Sequence, residues 1–397
     1  MSFNYVAGGD QVNMLVVGNH FAQSGQLTGI GKWTGGSGSN IGPFLEIAVG
    51  IPLMIWHNFR APMILIVILN LFTYFILANE FKKMFKLEGV LIFTIIYWLS
   101  PIRIYNSGFL WEPAYLFFFS ALHFVSAVKL RKNKSIAYTI VHILSIIFAF
   151  QIHNSALILF FASIFLAVFK KIKLNIYGII YAIVIGLITY IPTINTLMTG
   201  KITPAKESTG YLGRGFIEVL PFLKGVFYWF KSSAYDMVKD LKDTDLPNWF
   251  VYFLQTLSIL SVIAGIISNW FYYRGKFLKK FRPEYKKLSP DDKWIMSLTL
   301  SYALGLILSS GLSPIYLQAW MVVITLPVAM FPLFYLTYNN YNKFSKKNTF
   351  YAALLYVSVE TILILAIFAG QSKFHKEKQL PSNVNNKQNQ EIIYLFK

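Results

Sequence analysis

An all-α, polytopic membrane protein is the fold class this sequence predicts, on three observations. Hydrophobic residues make up 55% of the 397 and charged ones only 13%, for a mean hydropathy of +0.52. That balance suits a chain solvated by lipid rather than by water. Apolar runs of spanning length recur along it, and the excess of Lys and Arg gathers in the short loops between them.

Residues 1–46 are the longest polar, Gly-rich stretch ahead of the apolar runs, and Asp10 is their only acidic group before Glu46. They read as an external loop. The piece 43–56, PFLEIAVGIPLMIW, is too short to cross comfortably and carries Glu46 and Pro52, so it reads as a juxtamembrane or re-entrant segment. A span needs roughly 20 apolar residues. About ten are placed near 61–80, 88–104, 113–129, 136–152, 154–169, 174–193, 250–272, 294–310, 315–337 and 349–369.

Loop charge then orients them. Lys82, Lys83 and Lys86, then Lys129 to Lys134, then Lys170 to Lys173, the basic 273–293 loop, and Lys343 with Lys346 and Lys347 all fall on one face. The positive-inside rule makes that face cytoplasmic. The other, periplasmic or extracellular, face receives 100–113, the tight turn 151–154, the long loop 194–249, 309–314 and the tail. An N-terminus on that face with no span before it leads us to expect one more helix upstream, or else a translocated N-terminus. The resulting divisions are an external loop with its juxtamembrane segment (1–60), an N-terminal bundle (61–193), an external loop with an amphipathic interfacial helix (194–249), a C-terminal bundle (250–369) and an external polar tail (370–397), in which EIIYLF is suited to docking. The absence of native cysteine makes the topology testable. Asn40→Cys is expected to react with an impermeant thiol reagent in intact cells and Lys132→Cys only after lysis; equal labelling contradicts the orientation.

The formal net charge of +19 would suggest nucleic acid for a soluble chain. Here, spread over membrane loops, it indicates anionic headgroups and no nucleic-acid partner. Lack of cysteine removes disulfides, thiolate metal sites and a cysteine nucleophile. No metal-spaced cluster, Walker loop or Ser-His-Asp pattern is present, so a divalent cation enters only through ligands supplied by a substrate phosphate.

Ionisable groups at the outer rim are the site candidates, because burying them is expensive. Arg103, after the helix-ending Ser100-Pro101, reads either as a bidentate phosphate clamp or as an arginine snorkelling to headgroups. Glu112 opens the next helix, where a carboxylate also suits the helix dipole. Gln151 and His153 at the tight turn offer a phosphate donor or sugar ligand, or a simple turn cap. Arg214 lies between two glycines whose amides favour an anion, and Tyr316 starts a late span where an aromatic belt also places Tyr. His123 and His142 sit mid-span and read as satisfied by neighbouring helices; Glu360 is a lone carboxylate in the last span.

Gly9-Asp10-Gln11, Gly42-Pro43-Phe44, the Ser100-Pro101 helix end, the 151–155 turn and Ser313-Pro314-Ile315-Tyr316-Leu317 together resemble the polytopic glycosyltransferases of the C-type fold. This is the group of protein O-mannosyltransferases and the lipid A aminoarabinose transferase. The family's acidic pair in the first external loop is Asp-Gln here. The resemblance implies a polyprenyl-phosphate sugar donor, a lipid, polysaccharide or protein acceptor, and a one-step inverting displacement at the outer face of the cytoplasmic membrane. Asp10 would be the catalytic base, and Arg103, His153 and Arg214 would stabilise the departing phosphate. Two other classes fit the layout. An O-antigen ligase or polymerase would centre on loop arginines such as Arg214, and a lipid or solute transporter on His123, His142 and Glu360.

Overall fold

The computed structural model describes residues 9–34, 38–107, 110–199, 219–233, 247–276, 289–312 and 319–343, with short pieces between 351 and 362 and residues 392, 394 and 395. Apart from one small hairpin the described chain is helical, as expected of a helical membrane protein. Four described helices are long and apolar enough to cross a bilayer: Arg60–Trp98, Glu112–Leu130, Pro290–Leu312 and Met321–Asn339. A fifth is the pair Ile176–Thr189 and Ile191–Met198, bent by 46°. The expected ten are not reached by this measure. Ile136–Ile152 and Asn154–Val168 are apolar but shorter than a span, and the first of the four merges two arms.

That first helix, α3 (Arg60–Phe93), reverses at Lys86, whose φ of 58° and ψ of −163° are non-helical. The two arms then run antiparallel. Phe81 stacks on Phe93 at 4.4 Å, and the Tyr74 hydroxyl meets Thr94 Oγ1 at 3.0 Å. The spans read near 61–80 and 88–104, with their loop at Lys82 to Lys86, thus lie side by side.

The basic loops meet at one end of the bundle. Arg131 pairs with Asp291 at 2.6 Å, the Trp294 indole donates to the Lys171 carbonyl at 2.9 Å, and the Lys173 amide donates to the Leu130 carbonyl at 2.9 Å. Those contacts tie together the ends of α5 (Glu112–Leu130), α7 (Leu157–Val168) and the 290–312 helix. Glu80, buried near the same end, takes Lys129 on one side and Lys83 on the other.

The opposite, polar end begins with α1 (Gly9–Ser24), β1 (Ile30–Thr34), β2 (Gly38–Ile41) and α2 (Phe44–Ile55). The stretch read as an open loop therefore contains a helix and a hairpin. α1 lies against α2 through small residues: a Cβ on Gly18 would come within 2.5 Å of the Val49 side chain, and one on Gly50 within 2.7 Å of the Gly18 carbonyl. Two glycines let the backbones approach where larger side chains would hold them apart. The C-terminal segment docks on the same unit, as its sequence suggested. Tyr394 bonds Asn19 and Gln23, and the Phe59 amide donates to the Leu395 carbonyl at 3.1 Å.

Helix α10 (Val219–Ser232) departs from the expected interfacial helix. Its start meets the polar end, where Ser310 donates to the Pro221 carbonyl at 2.6 Å. Farther along, Trp229 donates to Asn269 at 3.0 Å, in the last third of α11 (Asn248–Lys276). It therefore descends into the bundle antiparallel to α12 (Pro290–Leu312) instead of lying across its surface. Polar side chains drive the difference, since Trp229, Asn269 and Ser233 satisfy one another away from water.

α7 and α12 pack closely, backbone to backbone. A Cβ on Gly305 would lie 2.6 Å from the Ile158 carbonyl oxygen and 2.9 Å from the Ala162 nitrogen, both backbone atoms that have no rotamer with which to move aside. Gly305→Ala is expected to lower stability by about 1–3 kcal/mol through overpacking, read as a lower thermal midpoint in detergent; an unchanged midpoint contradicts this packing.

Candidate functional site

Arg103 stands at the centre of the polar end. The upward arm of α3 ends in a π-helical turn, Thr94–Trp98, a widened form often found at functional positions. Ser100 and Pro101 then close it and start the short helix α4 (Pro101–Asn106). The Ser100 hydroxyl accepts from the Arg103 amide at 3.4 Å. This path turns the Arg103 side chain back onto the helix it has just left.

The guanidinium is 3% exposed. Its Nη1 donates to the Trp98 carbonyl at 3.1 Å and its Nη2 to Asn70 Oδ1 at 3.1 Å. Asn70 is fixed in turn by donating to the Ile66 carbonyl at 2.9 Å, which turns its oxygen toward the arginine. The Trp98 ring covers one face at 3.2 Å, and the Tyr97 and Phe117 rings flank it at 6.0 and 5.9 Å. Nε and the Tyr97 hydroxyl each fall short of hydrogen-bond geometry, although the guanidinium and that hydroxyl lie close enough to interact with each other. No carboxylate among the described residues pairs with this charge. A buried guanidinium held by rings, one amide and one carbonyl lacks the anion that would offset its desolvation, which costs several kcal/mol.

The 3-10 helix Ala319–Thr325 touches the elements that carry other candidates. It packs against α4, α5, α7, α10, α12 and the single 3-10 turn Asn154–Ala156, and Ser120 of α5 donates to its Ile324 carbonyl. Glu112, 2% exposed, sits in the first turn of α5. His153 has the geometry of a turn cap: its Nδ1 accepts from the Ser155 amide at 3.0 Å and contacts the Ser155 hydroxyl at 2.9 Å. The helices that carry Arg103 and Glu112, α4 and α5, and the Asn154–Ala156 turn thus all contact one element. Gln151 is placed slightly apart. It donates to Thr189 at 2.7 Å, leaves Oε1 without a partner, and lies where a Cβ on Gly42 would fall, 2.4 Å from its Cγ.

Asp10 is exposed in the first turn of α1, about 21 Å along the helix from Ser24 at 1.5 Å per residue. Beyond the Ser24 end of α1 the carboxylate is Glu46. Glu46 is wholly buried and accepts from the Thr28 amide at 2.8 Å and the Thr28 hydroxyl at 2.7 Å, with the Gly29 and Ile30 amides beside it. Burial pushes its carboxyl above the usual range, against the lowering effect of those donors. On the far side of the same corner Thr193 holds the Gly29 carbonyl at 2.7 Å and Thr196 holds that of Thr28. Gly29 has φ +68° and would place a Cβ 2.2 Å from the Thr193 nitrogen, so the corner demands glycine twice over.

Arg214, Tyr316 and Glu360 lie outside the described residues. His123 and His142 are buried and joined by neighbouring helices. Sequence reasoning passed over Asn70, although a single amide inside the 61–80 run was a usable signal, and read Glu46 only as a length marker. Among the described residues no group of three His, Cys, Asp or Glu is placed to hold a metal ion. No protein-family profile, curated protein or solved structure matches this chain.

Proposed function

We propose that this protein is a membrane glycosyltransferase of the C-type-fold kind, moving a sugar from a polyprenyl-phosphate donor to an acceptor at the outer face of the cytoplasmic membrane. The observation that carries the reading is Arg103, a buried cation with no counter-anion among the described residues, at the polar end of a membrane bundle. A lipid phosphate brings the missing charge to the depth at which the arginine waits, because its tail remains in the bilayer while its headgroup reaches the rim. Arginine suits that ligand by its permanent charge and planar fork of donors. In an inverting displacement the phosphate leaves as an anion, so the same residue would favour departure.

The 3-10 helix Ala319–Thr325 contacts α4, α5 and the Asn154–Ala156 turn, the elements that carry Arg103, Glu112 and His153, which supports a common donor site for the three. Arg214 and Tyr316 remain donor-site candidates on the sequence pattern. On the loop charges the basic end is cytoplasmic, and on the apolar runs the spans number about ten. Asp10 is the base candidate on the resemblance, its exposed position making it available to an acceptor arriving from water. Asp10→Asn is expected to abolish transfer with the protein still folded in the membrane; substantial residual transfer removes Asp10 from the mechanism.

Lipid mass spectrometry of cells with and without the protein tests the function as a whole. Loss of the protein is expected to accumulate one polyprenyl-phosphate sugar and deplete one decorated acceptor. Unchanged lipids and acceptors overturn the transferase reading.

A further inference from the structure

The middle of the bundle holds a polar cluster that no step of the proposed transfer uses. His123 of α5 and His142 of α6 (Ile136–Ile152) are wholly buried, their rings stacked with centroids 4.1 Å apart. Ser163 of α7 bridges them, its hydroxyl 2.7 Å from His123 Nε2 and 3.0 Å from His142 Nε2, and donates to the Leu159 carbonyl at 2.9 Å. At the outer nitrogens, His123 Nδ1 lies 2.6 Å from the Tyr302 hydroxyl of α12 and His142 Nδ1 lies 2.9 Å from Ser126. Ser126 also reaches the His123 carbonyl at 2.9 Å.

These contacts do not balance when both rings are neutral. Six contacts each require a proton, whereas Tyr302, Ser126, Ser163 and two neutral imidazoles supply one apiece, five in all. One contact is therefore always short. If both rings carry the proton on Nε2, Ser163 accepts twice and donates to Leu159, Tyr302 donates to His123, and Ser126 must choose between His142 and the His123 carbonyl. If His142 instead carries it on Nδ1, Ser126 serves the carbonyl, and Ser163 must choose between His142 and Leu159. A single added proton, making His142 an imidazolium, removes the choice and completes all six without moving a heavy atom.

We propose that this cluster is a proton-binding site in the membrane interior. His142, protonated on Nε2, takes up one proton from the aqueous phase at its bare Nδ1, and the Ser126 hydroxyl turns wholly to the His123 carbonyl. Release reverses the step and can leave either neutral tautomer, so one proton is bound and the same number returned. Loss of hydration opposes a lasting imidazolium at this depth, which makes the charged form the intermediate of exchange at neutral pH and the occupied form in acid.

No charge among the described residues pre-empts the site. On α5 the nearest is Lys129, paired with Glu80. α6 and α7 carry no charged residue, His142 and Tyr138 being the titratable ones. On α12 Asp291, Asp292 and Lys293 lie at the basic end, leaving Tyr302 as the titratable group that faces the rings. The inference stands independently of the phosphate reading at Arg103.

Solid-state ¹⁵N NMR of the full chain in lipid nanodiscs, labelled at its six histidines, tests it, because a ring-to-ring cross-peak singles out the stacked pair. Between pH 8 and pH 3.5 that pair is expected to pass from two neutral rings, with exchange-averaged His142 tautomers, to one shared imidazolium. Ser163→Ala, which keeps both rings, is expected to shift that transition by at least one pH unit. Two rings that stay neutral in fixed tautomers down to pH 3.5 in the folded protein overturn the proposal. So does a wild-type transition that Ser163→Ala leaves in place; if that variant does not fold, Ser126→Ala takes its place with the same criterion.

Discussion

Arg103→Met is expected to abolish polyprenyl-phosphate binding and transfer while leaving the folded protein about as stable as before. The two halves have one cause. The guanidinium is desolvated without an anion, a burden of several kcal/mol that methionine, similar in length, removes. Against this gain stand Asn70 Oδ1 and the Trp98 carbonyl, which lose the donors they now have at about 1–3 kcal/mol each when buried. The opposing effects are of similar size, so the thermal midpoint in detergent should move little. Function has no such offset. Loss of one donor to a developing anion costs about 10²–10³ in rate, and loss of the charge weakens ground-state binding as well. Arg103→Lys keeps the charge but not the fork, and an ammonium cannot serve Trp98, Asn70 and a phosphate together; intermediate transfer is expected. Measurement requires binding of a short-chain polyprenyl phosphate to purified protein, followed by transfer at saturating donor. A methionine variant that binds and transfers normally removes the phosphate from Arg103. One that fails to fold assigns the arginine to the scaffold.

What could be read in the sequence follows from the range of the interactions concerned. Lys82 to Lys86, Lys129 to Lys134 and Lys170 to Lys173 declared a common face because loop charge is a local property, and Arg131–Asp291 and Trp294–Lys171 show those loops together. Arg103 was legible from its place after Ser100-Pro101. Its missing counter-anion was not, since absence of a charge within reach depends on the whole fold. The helix over Gly9–Ser24 was read as loop because glycines and polar residues interrupt its apolar pattern, yet Gly18 and Gly50 are the close contacts that seat it on α2. The descent of α10 was hidden for a similar reason. An aromatic and charged helix resembles an interfacial one until Asn269 and Ser310 are found beside it.

The cap offers the second large effect. Glu46→Leu is expected to destabilise the polar end by an amount on the order of 3 kcal/mol, because the Thr28 amide and hydroxyl lose a buried acceptor and each orphaned donor costs about 1–3 kcal/mol. Glu46→Gln should cost far less: one oxygen remains for the Thr28 amide, and the new NH2 can donate to the Thr28 hydroxyl, which is free to turn. The pair differs in a second way. With its folded carboxyl raised above the ordinary 4.5 by burial, wild type binds more protons folded than unfolded between those two values. Stability therefore falls as pH rises through that window and is flat above it. Lowering the pH from 7 toward 4.5 should accordingly stabilise wild type relative to Glu46→Gln, which lacks the group. Subtracting the two profiles removes the contributions of every other carboxylate. A difference that grows in the opposite sense means that the donors around Thr28 outweigh burial, and the carboxylate is then held charged. The corner that Glu46 fastens continues through the hairpin to Gly42, against Gln151, so loosening it is expected to free the turn that carries His153 beside the proposed donor site, and the weakened variant is expected to lose transfer as well as stability.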